Sequence, residues 1–284
     1  MLFRSTGPSS INPDTGEPYG PDFPVVTVGD MIRAQRRLLD ELGVERVLCV
    51  TGASLGGMQA LQWTVDCPDD VDLCLAIAST ARLDTQGLAL NAIARNAITS
   101  DPDWQGGRYY GTGREPRAGL ALARQVGHVT YLSKHSLAEK FGRRLQDRDE
   151  PSFTWTDADF AVESYLRHQG ARFVERFDAN TYLAMSRALT CFDLARTHGR
   201  GSLERALAPA RASFTLLSFS SDWIYPPADA EELLAALEPA GKDAEHVLIN
   251  TNYGHDSFLL EEEAQAPHIV AALERTRTRR RTHA

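Results

Sequence analysis

The sequence predicts an α/β protein, a mostly parallel sheet flanked by helices, on three observations. First, the apolar run Val47-Leu48-Cys49-Val50 leads into Thr51-Gly52-Ala53-Ser54-Leu55-Gly56-Gly57 and then into a helical pattern from Met58 to Val65. Strand, tight turn and helix in that order lift a serine out of a sheet as a nucleophile. Second, Phe214-Thr215-Leu216-Leu217-Ser218-Phe219 reads as a buried strand that ends in Ser220-Ser221-Asp222. Third, His246-Val247-Leu248-Ile249 reads as another, followed by Asn252-Tyr253-Gly254-His255-Asp256. Nucleophile, acid and base therefore follow one another as Ser54, Asp222 and His255, each just past a strand. A Gly-x-Ser-x-Gly alone arises by chance in roughly one chain in ten of this length. Its context and the two downstream loops carry the reading. Gly52 and Gly56 are expected where the helix passes too close to the strand for a Cβ, and Ser54 should hold a strained backbone.

In chain order, a loop rich in Pro, Gly and Ser (Gly7 to Pro24) precedes a helix from Val28 to Leu42 that Gly43 closes. The elbow strand spans Arg46 to Thr51, and a further strand spans Val71 to Ala78. Residues 82–205 read as an inserted helical cap between two core segments, 1–81 and 206–284. Within it, Leu88 to Ile98 and Gly119 to Val126 have helical periodicity, as do Phe160 to His168 and Asn180 to Thr190. A charged loop, Arg143 to Asp157, lies between them, and Gly199-Arg200-Gly201 makes a turn. The arginines at 275, 277, 279, 280 and 281 read as a solvated tail, disordered from 276 to 284.

The chain has 284 residues and is 43% hydrophobic, enough for a sizeable core. A net charge of -8 argues against general affinity for nucleic acid. The chain contains no apolar run of about eighteen residues, so no membrane span is expected, and Met1 opens no signal-peptide pattern. The 4 cysteines, Cys49, Cys67, Cys74 and Cys191, have neither zinc nor disulfide spacing. They read as reduced, buried residues of a cytoplasmic protein, with no metal site expected.

Several segments carry a resemblance: Ser5-Thr6-Gly7-Pro8-Ser9-Ser10-Ile11-Asn12-Pro13, Asp22-Phe23-Pro24, the elbow running on into Gly57-Met58-Gln59-Ala60-Leu61, and Thr130-Tyr131. Phe141-Gly142-Arg143, Ser221-Asp222-Trp223 and Gly254-His255-Asp256-Ser257-Phe258-Leu259 complete the set. Together, over about residues 5 to 270, they resemble the homoserine O-acetyltransferase family of α/β-hydrolase-fold acyltransferases. The resemblance implies Ser54, Asp222 and His255 as the triad, with the Leu55 N–H as an oxyanion donor. It implies acetyl-CoA as co-substrate, with no permanently bound cofactor, and O-acetyl-L-homoserine, an intermediate on the way to methionine, as product. It places substrate contacts at Arg124, Tyr131 and Asp256, with Arg95 as the second choice for the arginine. A guanidinium suits the homoserine carboxylate and Asp256 the ammonium. An acyl-serine intermediate and ping-pong kinetics follow, as does a homodimer through cap helices. Succinyl-using relatives resemble one another in a basic residue just after Ser-Asp-Trp, where this chain has Ile224, so acetyl is the expected donor. Serine-directed or succinyl-directed transfer, ester hydrolysis, and a catalytically dead or partner-assembled homologue are the alternatives.

The resemblance also implies about four strands before the elbow strand, one loop of which donates the second oxyanion N–H. Only 45 residues precede Arg46, which leaves no room for them, so the N-terminal strands are expected to be missing. The elbow strand would then have an unpaired edge. A start assigned too late, a truncated gene and a short variant completed by a partner are the three explanations.

Overall fold

In the computed structural model, residues 6–283 are described; Ser5 and the preceding Met1 to Arg4 lie outside them. In chain order the elements are α1 (Val28–Glu41), β1 (Val47–Ala53), α2 (Leu55–Asp66), β2 (Val71–Ile77), α3 (Thr85–Thr99), α4 (Arg117–Tyr131), α5 (Lys134–Lys140), α6 (Ala161–Val174) and α7 (Ala179–Cys191). Then come α8 (Leu194–Gly199), α9 (Leu203–Leu207), β3 (Ser213–Phe219), α10 (Pro227–Leu237), β4 (Ala244–Ile249), α11 (Ser257–Leu260) and α12 (Glu262–His283). The chain divides into two compact units. One comprises Thr27–Asp84, Tyr131–Ser136 and Cys191–Ala284, the other Met1–Val26, Thr85–Thr130 and Leu137–Thr190.

The first unit holds the sheet, ordered β1-β2-β3-β4 with every neighbouring pair parallel. β2 and β3 lie inside and are apolar along most of their length, as strands covered on both faces must be. Leu73, Leu75, Leu217 and Ala272 form one core cluster, and Ala78, Phe219 and Ile249 another. β1 is bonded to β2 alone among the described residues, and its residues are half-buried, with Thr51 exposed. The expected unpaired edge is therefore present. α1 begins at a capping box in which the Thr27 side chain accepts from the Asp30 N–H and the Asp30 carboxylate accepts from the Thr27 N–H.

Two expectations are corrected in this unit. The C-terminal arginines are not a disordered tail: α12 runs on to His283. Arg275 pairs with Glu245 and Arg279 with Asp243, while Arg280 reaches Asp72 at 3.6 Å. Spacing of i and i+4 puts Arg275 and Arg279 on one face of the helix, and the acids that order this face come from distant segments. The cysteines are not all inside, because Cys191, at the end of α7, is exposed. Cys74 is buried and Cys49 half-buried, and burial pushes the Cys49 thiol up to about 11. Residues 191–205 belong to this unit, since Arg82 pairs with Asp193 in an isolated bridge and Leu194, Leu203, Ala206 and Leu207 are buried. No helix among the described residues is long and apolar enough to cross a membrane.

The second unit is helical, built around Ala94, Ile98, Leu120, Ala123, Phe173, Val174 and Ala179. α4 approaches α3 so closely that a Cβ on Gly119 would lie 2.4 Å from the Ala97 carbonyl oxygen. Asp178 accepts from the hydroxyls of both Tyr109 and Tyr110. Residues 6–26 group with these helices. Asp22 pairs with Arg108, and a Cβ on Gly20 would come within 3.3 Å of the Gly107 carbonyl oxygen.

Candidate active site

At the end of β1, Ser54 has φ 55° and ψ -123°, a conformation that costs a non-glycine residue about 1–3 kcal/mol. The surrounding fold holds it there. The Ser54 N–H donates to the Ile77 carbonyl at 3.0 Å, and its own carbonyl accepts from Ser79 Oγ at 2.8 Å and the Gly57 N–H at 3.0 Å. A Cβ on Gly52 would lie 2.4 Å from the Gly56 carbonyl carbon, and one on Gly57 2.4 Å from Ser79 Cβ. Gly56, by contrast, has nothing within 4 Å of an added Cβ. The close approach expected of Gly52 and Gly56 alike is thus met by Gly52 and Gly57, because it is the backbone of Gly56, not its side-chain position, that faces the strand. Leu55 opens α2, where the first N–H groups have no carbonyl one turn earlier to bond.

Asp222 follows β3 and is 3% exposed. Its Oδ1 accepts from the Ile224 N–H at 3.0 Å and the Tyr225 N–H at 3.1 Å. Its Oδ2 lies 2.7 Å from His255 Nδ1. A carboxylate only accepts, so Nδ1 carries the proton of this bond. His255 is 4% exposed, on a short turn after β4. Gly254 makes that turn possible: its φ is +75°, and a Cβ there would lie 2.5 Å from the Ser133 backbone nitrogen. The rings of Tyr225, Phe258 and Tyr131 surround the imidazole at 5.1, 5.2 and 6.0 Å between centroids. Asp256 is half-buried in the same turn.

The structure therefore joins Asp222 to His255 directly and brings Tyr131 and Tyr225 to the imidazole, with Ser54 on its strained turn in the same unit. Arg124 belongs to the helical unit, with its guanidinium over the Phe173 ring at 4.8 Å. Arg95 of the same unit donates to Ser186 Oγ at 2.9 Å and Thr190 Oγ1 at 2.8 Å, so its guanidinium already holds two hydroxyls.

Sequence reasoning missed three groups. Tyr225 stands three residues after Asp222, where the backbone must turn back onto the carboxylate. Asp229, in the first turn of α10, has its carboxyl pushed up to about 7, chiefly by burial, with Asp84, Glu232 and Asp222 adding to it and a Thr80 hydrogen bond opposing. His128, on α4, is held down to about 4 by burial and by Arg124, Lys140 and Arg176. Its Nδ1 lies 3.2 Å from the Tyr165 hydroxyl. Only the first of these had a local signal, its fixed offset from an acid that ends a strand.

The sequence model of the α/β hydrolase fold matches residues 3–262, and the chain belongs to that family. It is 49% identical over 269 residues to a homoserine O-acetyltransferase of Mesorhizobium japonicum, covering 95% of this chain and 68% of that protein. It is 54% identical over 256 residues to a homoserine O-succinyltransferase of Marinobacter nauticus, covering 90% and 66%. The crystal structure of a homoserine O-acetyltransferase from Bacillus anthracis superposes with a TM-score of 0.88 at 29% identity, covering 95% of this chain and 71% of that one. Within the hydrolase-fold family, then, the chain belongs with the homoserine O-acyltransferases. It spans about two thirds of the length of these curated relatives.

Proposed function

We propose that this chain carries the catalytic centre of a homoserine O-acetyltransferase, moving an acetyl group from acetyl-CoA to the hydroxyl of L-homoserine. The observation that carries the reading is the buried 2.7 Å bond between Asp222 and His255 Nδ1, in the same unit as a serine on a strained strand-to-helix turn. In this mechanism His255 Nε2 takes the Ser54 proton as Oγ attacks the thioester carbonyl, and Asp222 stabilises the imidazolium that forms. The Leu55 N–H donates to the oxyanion of the tetrahedral intermediate. The intermediate expels CoA thiolate, which takes the proton from His255, and leaves acetyl-Ser54. The homoserine hydroxyl then attacks with His255 again as base, and collapse of the second intermediate restores Ser54.

For the acceptor, the resemblance assigns Arg124 to the homoserine carboxylate and Tyr131 and Asp256 to the rest of the amino acid. Tyr131 is supported by its packing beside the imidazole. Acetyl is preferred to succinyl because Ile224 is apolar, and a succinyl carboxylate beside it would be buried without a counter-charge, at a cost of several kcal/mol. The Ile224 N–H is tied to Asp222, which holds its backbone beside the acid. A homodimer is proposed from exposed apolar side chains on α3 and α4, namely Ile93, Leu122 and Val129. Light scattering on the purified protein tests it.

The deciding measurement is release of free CoA from acetyl-CoA with and without L-homoserine. Release that depends on homoserine supports the transferase. Release without it supports a hydrolase, and none identifies this chain as inactive by itself. Succinyl-CoA run in parallel tests the donor: Ile224→Arg should raise the succinyl-CoA rate relative to the acetyl-CoA rate at least tenfold.

A further inference from the structure

The loop that carries the acid and the loop that carries the base are joined residue against residue. Asp222 Oδ2 meets His255 Nδ1 at 2.7 Å, and one position earlier on each loop Ser221 Oγ accepts from the Gly254 N–H at 2.9 Å. Ser220, one position earlier again, accepts from the Thr251 N–H at 3.0 Å and donates to the Thr251 carbonyl at 3.1 Å. The middle contact is the one that bears on the imidazole. Gly254 directly precedes His255, is buried, and holds a φ of +75° that glycine adopts without strain. The backbone of Leu132 and Ser133 closes the space where a Cβ would stand, and the Gly254 carbonyl accepts from Ser257 Oγ at 2.6 Å. Ser257 belongs to the base's own segment. Of the two hydroxyls on Gly254, only that of Ser221 comes from the acid's loop.

The geometry points to Ser221 as a positioning residue of this reaction: its hydroxyl fixes the Gly254 peptide to the acid's loop, and so sets where the His255 ring stands relative to Asp222. The proposal rests on His255 acting as the base. A single hydrogen bond through Nδ1 leaves an imidazole able to swing about that contact as its backbone shifts. Anchoring the preceding peptide to the same loop adds a second fixed point and removes the swing. Without the hydroxyl, the N–H of a buried glycine loses its partner, and the turn recovers one only by rotating the peptide that leads into His255. A misplacement near 1 Å at a group that transfers a proton costs up to about 100-fold in rate. Because Ser221 reaches the reaction only through the base, the loss falls on the chemical step and not on substrate affinity.

A double-mutant cycle reads this role, with two assays: homoserine-dependent release of CoA, and turnover of p-nitrophenyl acetate, which shows a burst as Ser54 is acylated. Ser221→Ala should lower kcat about 10- to 100-fold and leave the KM values for acetyl-CoA and homoserine within about threefold. In a His255→Ala background no base remains to be placed, and the same substitution should change the residual p-nitrophenyl acetate rate less than about twofold. A residue that merely supports the fold would lower the rate by the same factor in both backgrounds, and that result overturns the proposal. It is overturned equally by a kcat within about twofold of wild type, or by a rise in KM with kcat unchanged. Should Ser221→Ala fail to fold, Ser221→Cys carries the same cycle, since its sulfur accepts only weakly. A fall of about 3- to 10-fold that vanishes in His255→Ala then supports the proposal, and a fall that persists there, or none at all, overturns it. A wild-type protein that turns over neither substrate, or a His255→Ala variant as active as wild type, would instead remove the base itself, a failure distinct from that of Ser221.

Discussion

The sheet unit and the helical unit bury titratable groups under opposite electrostatic pressure. Beside the sheet, Asp229 lies among Asp84, Glu232 and Asp222, and its carboxyl holds a proton up to about pH 7. Among the helices, His128 lies among Arg124, Lys140 and Arg176, and its imidazole refuses a proton down to about pH 4. In one unit carboxylates, Asp222 of the Asp222–His255 pair among them, gather about a protonated acid. In the other, cations gather around a neutral ring, the arrangement that suits an anionic group. Variants in the two units should therefore fail differently.

The largest expected effect is chemical. Ser54→Ala should lower acyl transfer about 10⁴-fold or more and abolish the burst with p-nitrophenyl acetate. Arg124→Ala should leave that burst intact and raise the Michaelis constant for homoserine far more than that for acetyl-CoA. Equal effects on both constants would break the division of labour and return Arg95 to consideration.

Next in size is a pair of glycine substitutions. Gly254→Ala forces a Cβ against the backbone of Leu132 and Ser133 at a positive φ, and should cost about 2–4 kcal/mol in chemical denaturation, with loss of activity. Gly56→Ala, in the elbow itself, places its methyl in open space and should be neutral or stabilise α2 by up to about 1 kcal/mol. If the two variants cost the same, the close contacts around the base are not what holds it.

The pH dependence of melting sharpens the contrast further. The Asp229 carboxyl titrates at about 7 in the folded protein and near 3.9 in an unfolded chain. Between those values the folded state holds a proton that the unfolded chain has lost, so stability falls as pH rises toward 7 and levels off above it. For His128 the folded value of about 4 lies below the 6.5 of a free imidazole. Its contribution is complete above about pH 6.5 and is lost as pH falls toward 4. Over the shared window of about pH 4 to 7, Asp229→Asn should therefore remove a fall in melting temperature with rising pH, and His128→Gln should remove a rise. Exchange of these two signatures would refute the opposite pressures. The smallest effect is expected at the C-terminal helix, where Arg279→Gln removes an exposed pair with Asp243 and should change stability by less than about 1 kcal/mol.

The four strands were legible because their residues are continuous apolar runs between turn-forming segments, and the observed spans shift the expected ends by one or two residues. The turn at Ser54 was legible for a local reason as well, since few sequences pack a helix this close to its own strand. Less was visible where the partner lies far along the chain. The α12 arginines look like a solvated run until Asp243, Glu245 and Asp72 are set beside them. Gly56 looked as constrained as Gly52 because a pattern shows which residues are small and not which one faces the strand. The two compact units were hidden for a related reason: residues 6–26 join segments far along the chain, through contacts such as Asp22 to Arg108, 86 positions apart.

The sequence by itself determined the order of serine, acid and histidine, the strands that carry them and the strained turn, because each depends on periodicity and backbone freedom within a few residues. Tertiary structure alone decided what surrounds the imidazole, why Asp229 keeps its proton and why His128 lacks one. Those outcomes depend on burial and on charges brought close by folding, and neither is written in any single stretch of the chain.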